Sequence, residues 1–277
     1  MIVVRPSTRV IAGIPAHVRT EYALRRAGFT DVEVDDDRAL VKCRRDGDAI
    51  ADAVWVENDD QLWDTLRHNP IDGYIARLDR TISIAISRAL IRTPITPNMM
   101  TSASMLIGIA GALMLISTSY AVCVAGALLG WFSAILDGCD GEIAKVKLLS
   151  SEWGAKYDLV ADHVVNVLTF IAIPIHVHRV SPRLPLLIPG LVLLGGVAMS
   201  MLVVWWFLLR APSEKWNAAE RFIGRIASRD FVYVVLLLAA LRHLEWFVYL
   251  AALGANLFWI GVWIFGLRQS RGDTVSA

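Results

Sequence analysis

Near Thr96-Pro97-Asn98 the chain changes from mixed polar and apolar positions to long apolar runs. Before that point, short runs at Ile2–Val4, Val32–Val34, Leu40–Lys42 and Val54–Val56 have the length and β-branched content of strands. Between the first two, residues 16–27 place apolar side chains at helical spacing, and Gly28 follows where a helix C-cap favours glycine. The pattern predicts a small α/β domain over residues 1–71. Over residues 75–91 the period becomes that of an amphipathic helix, with Ile82, Ile86, Ala89 and Leu90 on one side and Arg77, Arg80, Arg88 and Arg92 nearby. Such a helix, within a juxtamembrane segment at 72–97, is expected to lie on a membrane surface.

Beyond it come six apolar segments, at 99–118, 120–144, 157–178, 184–208, 222–241 and 244–267. A span needs ~20 residues, and the fifth segment reaches that length only by including Arg225 and Arg229. The expected fold class is therefore mostly α: a polytopic membrane domain of about six transmembrane helices over 98–270, preceded by the α/β domain. Composition agrees, because 56% hydrophobic and 19% charged residues are too apolar a mixture for a soluble chain of 277 residues. The net charge of +1 points to no nucleic-acid partner, since the basic residues flank spans instead of lining one polar surface.

Their placement does orient the chain. Lys145, Lys147, Lys156, Arg210, Lys215, Arg221, Arg225, Arg229, Arg268 and Arg271 fall on one side, and Arg179, Arg183 and Arg242 on the other. The positive-inside rule then puts both termini toward the cytoplasm. No early apolar stretch marks a cleavable signal, and Cys43, Cys123 and Cys139 show no Cys-x-x-Cys spacing for zinc or a disulfide framework. Trp205, Trp206, Trp246, Trp259 and Trp263 read as interfacial or lipid-facing residues. Gly126 and Gly130 permit close helix contact, within the chain or between subunits.

Four aspartates in this apolar setting carry the candidate chemistry. Asp137 and Asp140 share a helix face at i, i+3, and Asp158 and Asp162 share another at i, i+4. An unpaired Asp at mid-membrane costs ~2.5–3.5 kcal/mol, so the group calls for cations. Carboxylates with no nearby His or Cys set favour hard cations such as magnesium, manganese or calcium over zinc, and two divalent ions, magnesium or manganese, suit the in-line displacement of a phosphate group. Lys145, Lys147 and Lys156 add positive charge suited to a diphosphate, while Gly141 and Gly154 let a flat ligand approach closely. These features predict a nucleotide-diphosphate pocket at the cytoplasmic face. Singly, Asp162 beside His163 also reads as a structural pair, and Glu142 as a residue that faces water or binds.

The run Asp137-x-x-Asp140-Gly141-x-x-Ala144-Lys145, then Gly154-x-x-x-Asp158-x-x-x-Asp162, resembles the signature of the CDP-alcohol phosphotransferases. Lys145 stands where that family usually has Arg. The resemblance extends over roughly residues 72–270 and includes Thr96-Pro97-Asn98. It implies a six-helix homodimer in which Asp137, Asp140, Asp158 and Asp162 hold two metal ions and Asp162 is also the base on the acceptor hydroxyl. Asn98, Gly141, Ala144, Lys145 and Gly154 would line the CDP site, and a phosphoalcohol would pass from a CDP-alcohol donor to the acceptor with release of CMP. Asp72-Gly73-Tyr74-Ile75-Ala76-Arg77 and the Asp-Gly-Cys-Asp-Gly-Glu-Ile-Ala run are similar to the subgroup making di-myo-inositol phosphate phosphate. Within that subgroup an N-terminal cytidylyltransferase domain is frequent. Here residues 13–20 and 25–28 resemble pieces of one without a Gly-rich phosphate loop, so a separate cytidylyltransferase is expected to supply the donor.

Arg225 and Arg229, one helical turn apart, are candidates for the phosphate of the acceptor, with topology marking or lipid headgroups as the plainer roles. The alcohols stay open, from CDP-diacylglycerol to soluble CDP-polyols and from inositol phosphate to glycerol phosphate. Two other functions fit intramembrane acids: a cation-coupled transporter and a catalytically silent scaffold of the same fold.

Overall fold

The computed structural model describes residues 1–67, 74–182, 187–210 and 231–272. Two compact units emerge, Met1–Met100 with Asp137–Lys156 and Thr101–Leu136 with Tyr157–Ala277. Three helices, α4 (Pro97–Leu115), α5 (Tyr120–Val146) and α6 (Glu152–Val180), each contribute residues to both.

In the first unit, β1 (Ile2–Val4) pairs in parallel with β4 (Val32–Val34) across α1 (Ala16–Arg26). Gly28 takes a positive φ of 85° just past α1, the backbone that glycine accepts at lowest cost. A tight hairpin joins β2 (Val10–Ile11) to β3 (Ile14–Pro15), and Ala12 and Gly13 both have positive φ, as a type I′ turn demands. A longer ribbon pairs β5 (Ala39–Asp46) with β6 (Ala49–Val56). Its outer half sets Arg44, Arg45 and Asp46 against Ala51, Ile50 and Ala49 without a clear hydrophobic alternation, so the pattern foretold only the ends at Leu40–Lys42 and Val54–Val56. α2 (Asp59–Arg67) and α3 (Tyr74–Leu90) follow. One core cluster contains Ile11, Ala16, Leu62, Trp63, Ile84 of α3 and Val146 of α5. The helix expected at a membrane surface therefore has a second, buried face, Ser83-Ile84 and Ser87, while Leu78 stays 62% exposed.

The second unit is helical, with α7 (Leu187–Arg210), α8 (Phe231–Ala240) and α9 (Leu244–Gly272) completing it among the described residues. Among the described residues, four helices are long and apolar enough to cross a membrane, Pro97–Leu115, Tyr120–Val146, Glu152–Val180 and Leu244–Ile264, and Leu187–Val203 and Phe231–Ala240 are shorter apolar ones. The fifth predicted segment, 222–241, is described only from Phe231. Leu193, Val235, Phe247 and Val248 build the core, with the Phe170 ring stacked on Phe231 at 5.3 Å and on Phe247 at 5.9 Å. Leu187, Leu191, Leu253 and Leu257 point outward, as lipid-facing side chains do. The Gly126/Gly130 pair is used within the chain: a Cβ on Gly111 of α4 would stand 2.8 Å from the Gly126 carbonyl oxygen and 2.9 Å from the Gly130 nitrogen.

Candidate active site

Helix geometry brings the aspartates level before any contact is considered. α5 ends at Val146 and α6 begins at Glu152, so Asp140 lies six residues before one end and Asp158 six residues beyond the other. At 1.5 Å per residue, both stand ~9 Å from the turn, and Asp137 and Asp162 follow at ~14–15 Å. Within this hairpin, Asp137, Asp158 and Asp162 each bring one carboxylate oxygen within 4.8 Å of the other two. Asp140, 6% exposed like Asp137, is not part of that group of three. Asp137 Oδ2 and Asp158 Oδ1 are enclosed without a hydrogen donor, although both residues have interactions through their surroundings. An oxygen-only set of this kind fits a hard divalent cation. His163 does not pair with Asp162; its Nδ1 donates to the Leu159 carbonyl at 2.6 Å.

On α5, Asp137, Asp140, Gly141, Ala144 and Lys145 follow the i, i+3, i+4, i+7, i+8 spacing of one face. A Cβ on Gly141 would meet nothing within 4 Å, so that face has room beside the carboxylates. Ala144 is half-buried and Lys145 exposed. Gly154 serves a different need. Ser151 caps α6 by accepting the Gly154 N–H at 3.0 Å, and a Cβ on Gly154 would lie 3.0 Å from that hydroxyl and 3.3 Å from Asn98 Oδ1. Asn98 and Gly154 are thus brought together, and the close approaches at this glycine are made by Ser151 and Asn98. Arg225 and Arg229 lie outside the described residues.

The opposite face of α5 holds what sequence reasoning missed. Glu142, 2% exposed, accepts Ser83 Oγ at 2.6 Å and Ser87 Oγ at 2.7 Å from α3, with Arg80 Nη1 at 3.7 Å. It neither faces water nor shares the aspartates' face. The available signal was a pair of serines at i, i+4 flanking Ile84 and Ile86 in α3. Lys147 was grouped with the diphosphate-binding charges, yet its Nζ donates to the Thr93 and Ile95 carbonyls at 2.7 Å each. Next to it, Leu148 has φ 57°, and the Leu149 N–H reaches the Ala144 carbonyl at 2.8 Å. This is a Schellman-type ending built on leucine, a backbone state costing roughly 1–2 kcal/mol outside glycine.

The family model described as CDP-alcohol phosphatidyltransferase matches residues 94–266. The chain belongs to that family. Its members are in general dependent on divalent metal ions, in keeping with the aspartate cluster. A bifunctional IPC transferase and DIPP synthase of Archaeoglobus fulgidus is 44% identical over 103 residues, 37% of this chain and 20% of the relative. Its counterpart in Rubrobacter xylanophilus is 31% identical over 162 residues, 55% of this chain and 32% of the relative. The matched part is thus between a fifth and a third of these relatives' length. Among solved structures, Mycobacterium tuberculosis phosphatidylinositol phosphate synthase with CDP-DAG bound aligns with a TM-score of 0.47 at 20% identity, over 66% of this chain and 94% of that one. Its apo form aligns at 0.45 and 20% identity, over 64% and 94%.

Proposed function

We propose that this membrane protein transfers a phosphoalcohol group from a CDP-alcohol to an acceptor hydroxyl and releases CMP, with the reaction at the cytoplasmic side. The observation that carries this reading is the grouping of Asp137, Asp158 and Asp162 at signature positions of the α5–α6 hairpin. Asp137, Asp140, Asp158 and Asp162 would hold magnesium or manganese, two ions in this reading. Bound there, the metal supplies positive charge against the diphosphate and the leaving CMP.

The chain's own groups do the rest. The open face beside Gly141 and Ala144 admits the cytidine nucleotide, and Lys145 offers a point charge to its phosphates where a guanidinium would offer a fork. Asn98 and Gly154 border the same site at the start of α6. The Asp162 carboxylate removes the acceptor hydroxyl proton. The acceptor oxygen bonds to the phosphorus distal to cytidine as the bond from that phosphorus to the bridging oxygen breaks, so that CMP leaves with the bridging oxygen. The similarity to IPC transferase/DIPP synthases favours an inositol-phosphate-type acceptor. Arg225 and Arg229 are proposed to receive its phosphate, and an unchanged acceptor KM in Arg229→Ala would remove them. The protein acts as a homodimer, with the donor supplied by a separate cytidylyltransferase.

The test is CMP release by purified protein with magnesium, a panel of CDP-alcohols and a panel of polyol-phosphate acceptors. Activity with at least one pair, lost in Asp158→Asn, is expected. No CMP release from any pair, or an undiminished rate in Asp158→Asn, overturns the assignment.

A further inference from the structure

The end of α5 is held from the N-terminal part of the chain, within the first unit. Arg19 of α1, only 2% exposed, donates through Nε and Nη2 to the Ile11 carbonyl at 3.0 and 2.9 Å. The same Nη2 reaches Val146, the last residue of α5, at 2.8 Å across 127 residues of sequence. That carbonyl is one of the four a helix C-terminus leaves without an internal partner, and a cation there also opposes the helix dipole. The residue before it is Lys145. The residues after it are Lys147, tied to Thr93 and Ile95, and Leu148 in its left-handed conformation. A strained turn of this kind persists only where its surroundings over-determine it. Arg19 and the 93–95 carbonyls are those surroundings.

We propose that Arg19 is a positioning residue for the donor site. The N-terminal unit acts as a clamp that sets the last turn of α5, and thereby Lys145, for the nucleotide diphosphate. This rests on the reaction proposed above. It gives the α/β unit a role that needs no nucleotidyl transfer of its own.

The experiment compares full-length wild-type protein with Arg19→Met, which keeps the volume and removes every donor, and Arg19→Lys, which keeps charge but loses the fork. Two readouts are used: binding of cytidine 5′-diphosphate with manganese by calorimetry, and the KM and kcat of CMP release. In Arg19→Met the nucleotide Kd and donor KM should rise about tenfold, the order seen for supports one shell out from a ligand, with kcat changed less. Arg19→Lys should recover part of that affinity. A purely structural role would lower the active fraction, hence kcat, and leave KM and Kd unchanged. That outcome overturns the proposal, as do wild-type constants in both variants or failure of both to fold. If the wild-type protein releases no CMP, the proposed reaction falls while the nucleotide-binding comparison still decides the clamp.

Discussion

Removing the two serine hydroxyls that hold Glu142 should destabilise the protein more than any comparable change on the surface of α3. Both carboxylate oxygens of this 2%-exposed residue accept serine hydroxyls, at 2.6 and 2.7 Å, while Arg80 stands off at 3.7 Å. A hydrogen bond to a charged group is worth ~1.5–3 kcal/mol, so Ser83→Ala with Ser87→Ala should cost ~3–6 kcal/mol. That is a large part of the ~5–15 kcal/mol typical of a folded protein. At ~2–4 °C per kcal/mol for a chain this long, the apparent unfolding temperature should fall by at least about 6 °C. Each single serine variant should lose roughly half as much. Adding Glu142→Leu should recover most of the loss, because an apolar side chain leaves no carboxylate to satisfy. The assay is thermal unfolding of detergent-solubilised full-length protein, scanned at one rate because such transitions are commonly irreversible. A double-serine variant melting within about 1 °C of wild type would show that Glu142 draws little from α3. Failure of Glu142→Leu to rescue would mean that shape, not charge, holds the helices together.

Three further outcomes follow from other positions. Gly111→Ala should cost ~1–3 kcal/mol in the same assay, since its Cβ would stand 2.8 Å from a backbone oxygen of α5 that cannot move aside alone; an unchanged melting curve refutes the close crossing. Gly141→Ala should not lower stability, its Cβ meeting nothing within 4 Å in a helix interior that favours alanine, but should raise the donor KM about tenfold if the nucleotide passes over this face. An unaltered KM there removes Gly141 from the donor site. The Asp36 carboxyl is held below its ordinary value chiefly by its hydrogen bonds with the Arg38 side chain. Its folded-state value is the lower one, so its contribution is present above about pH 4 and is lost as acid carries the pH through the folded value. The stability gap between wild type and Asp36→Asn should therefore close on acidification, and a gap constant from pH 6 to pH 3 contradicts the pairing.

Much of the architecture was legible because its causes are local. β1, β4, α1 and α3 were foretold within a residue or so, since strand and helix periods and the Gly28 cap are written in neighbouring positions. The β2–β3 hairpin and the outer half of the β5–β6 ribbon were not, since the first has only two residues in each strand and depends on turn geometry, and the second pairs Arg44, Arg45 and Asp46 with Ala51, Ile50 and Ala49 through backbone bonds. The metal-site candidates were visible because carboxylates are costly among apolar runs, which singles them out without any knowledge of packing. Glu142 was left ambiguous for the converse reason: its partners lie 55 and 59 residues away.

By itself the sequence determined the apolar helices, the helical faces carrying the aspartates, and the room that glycine leaves at position 141. These depend on spacing along one element. Only the tertiary structure decided that three of the four carboxylates converge, that Lys147 serves backbone carbonyls, and that Arg19 caps α5 from the far end of the chain. Each of those outcomes depends on which donor or acceptor a fold brings within ~3 Å, and hydrogen bonding at that range has no periodic trace in the chain.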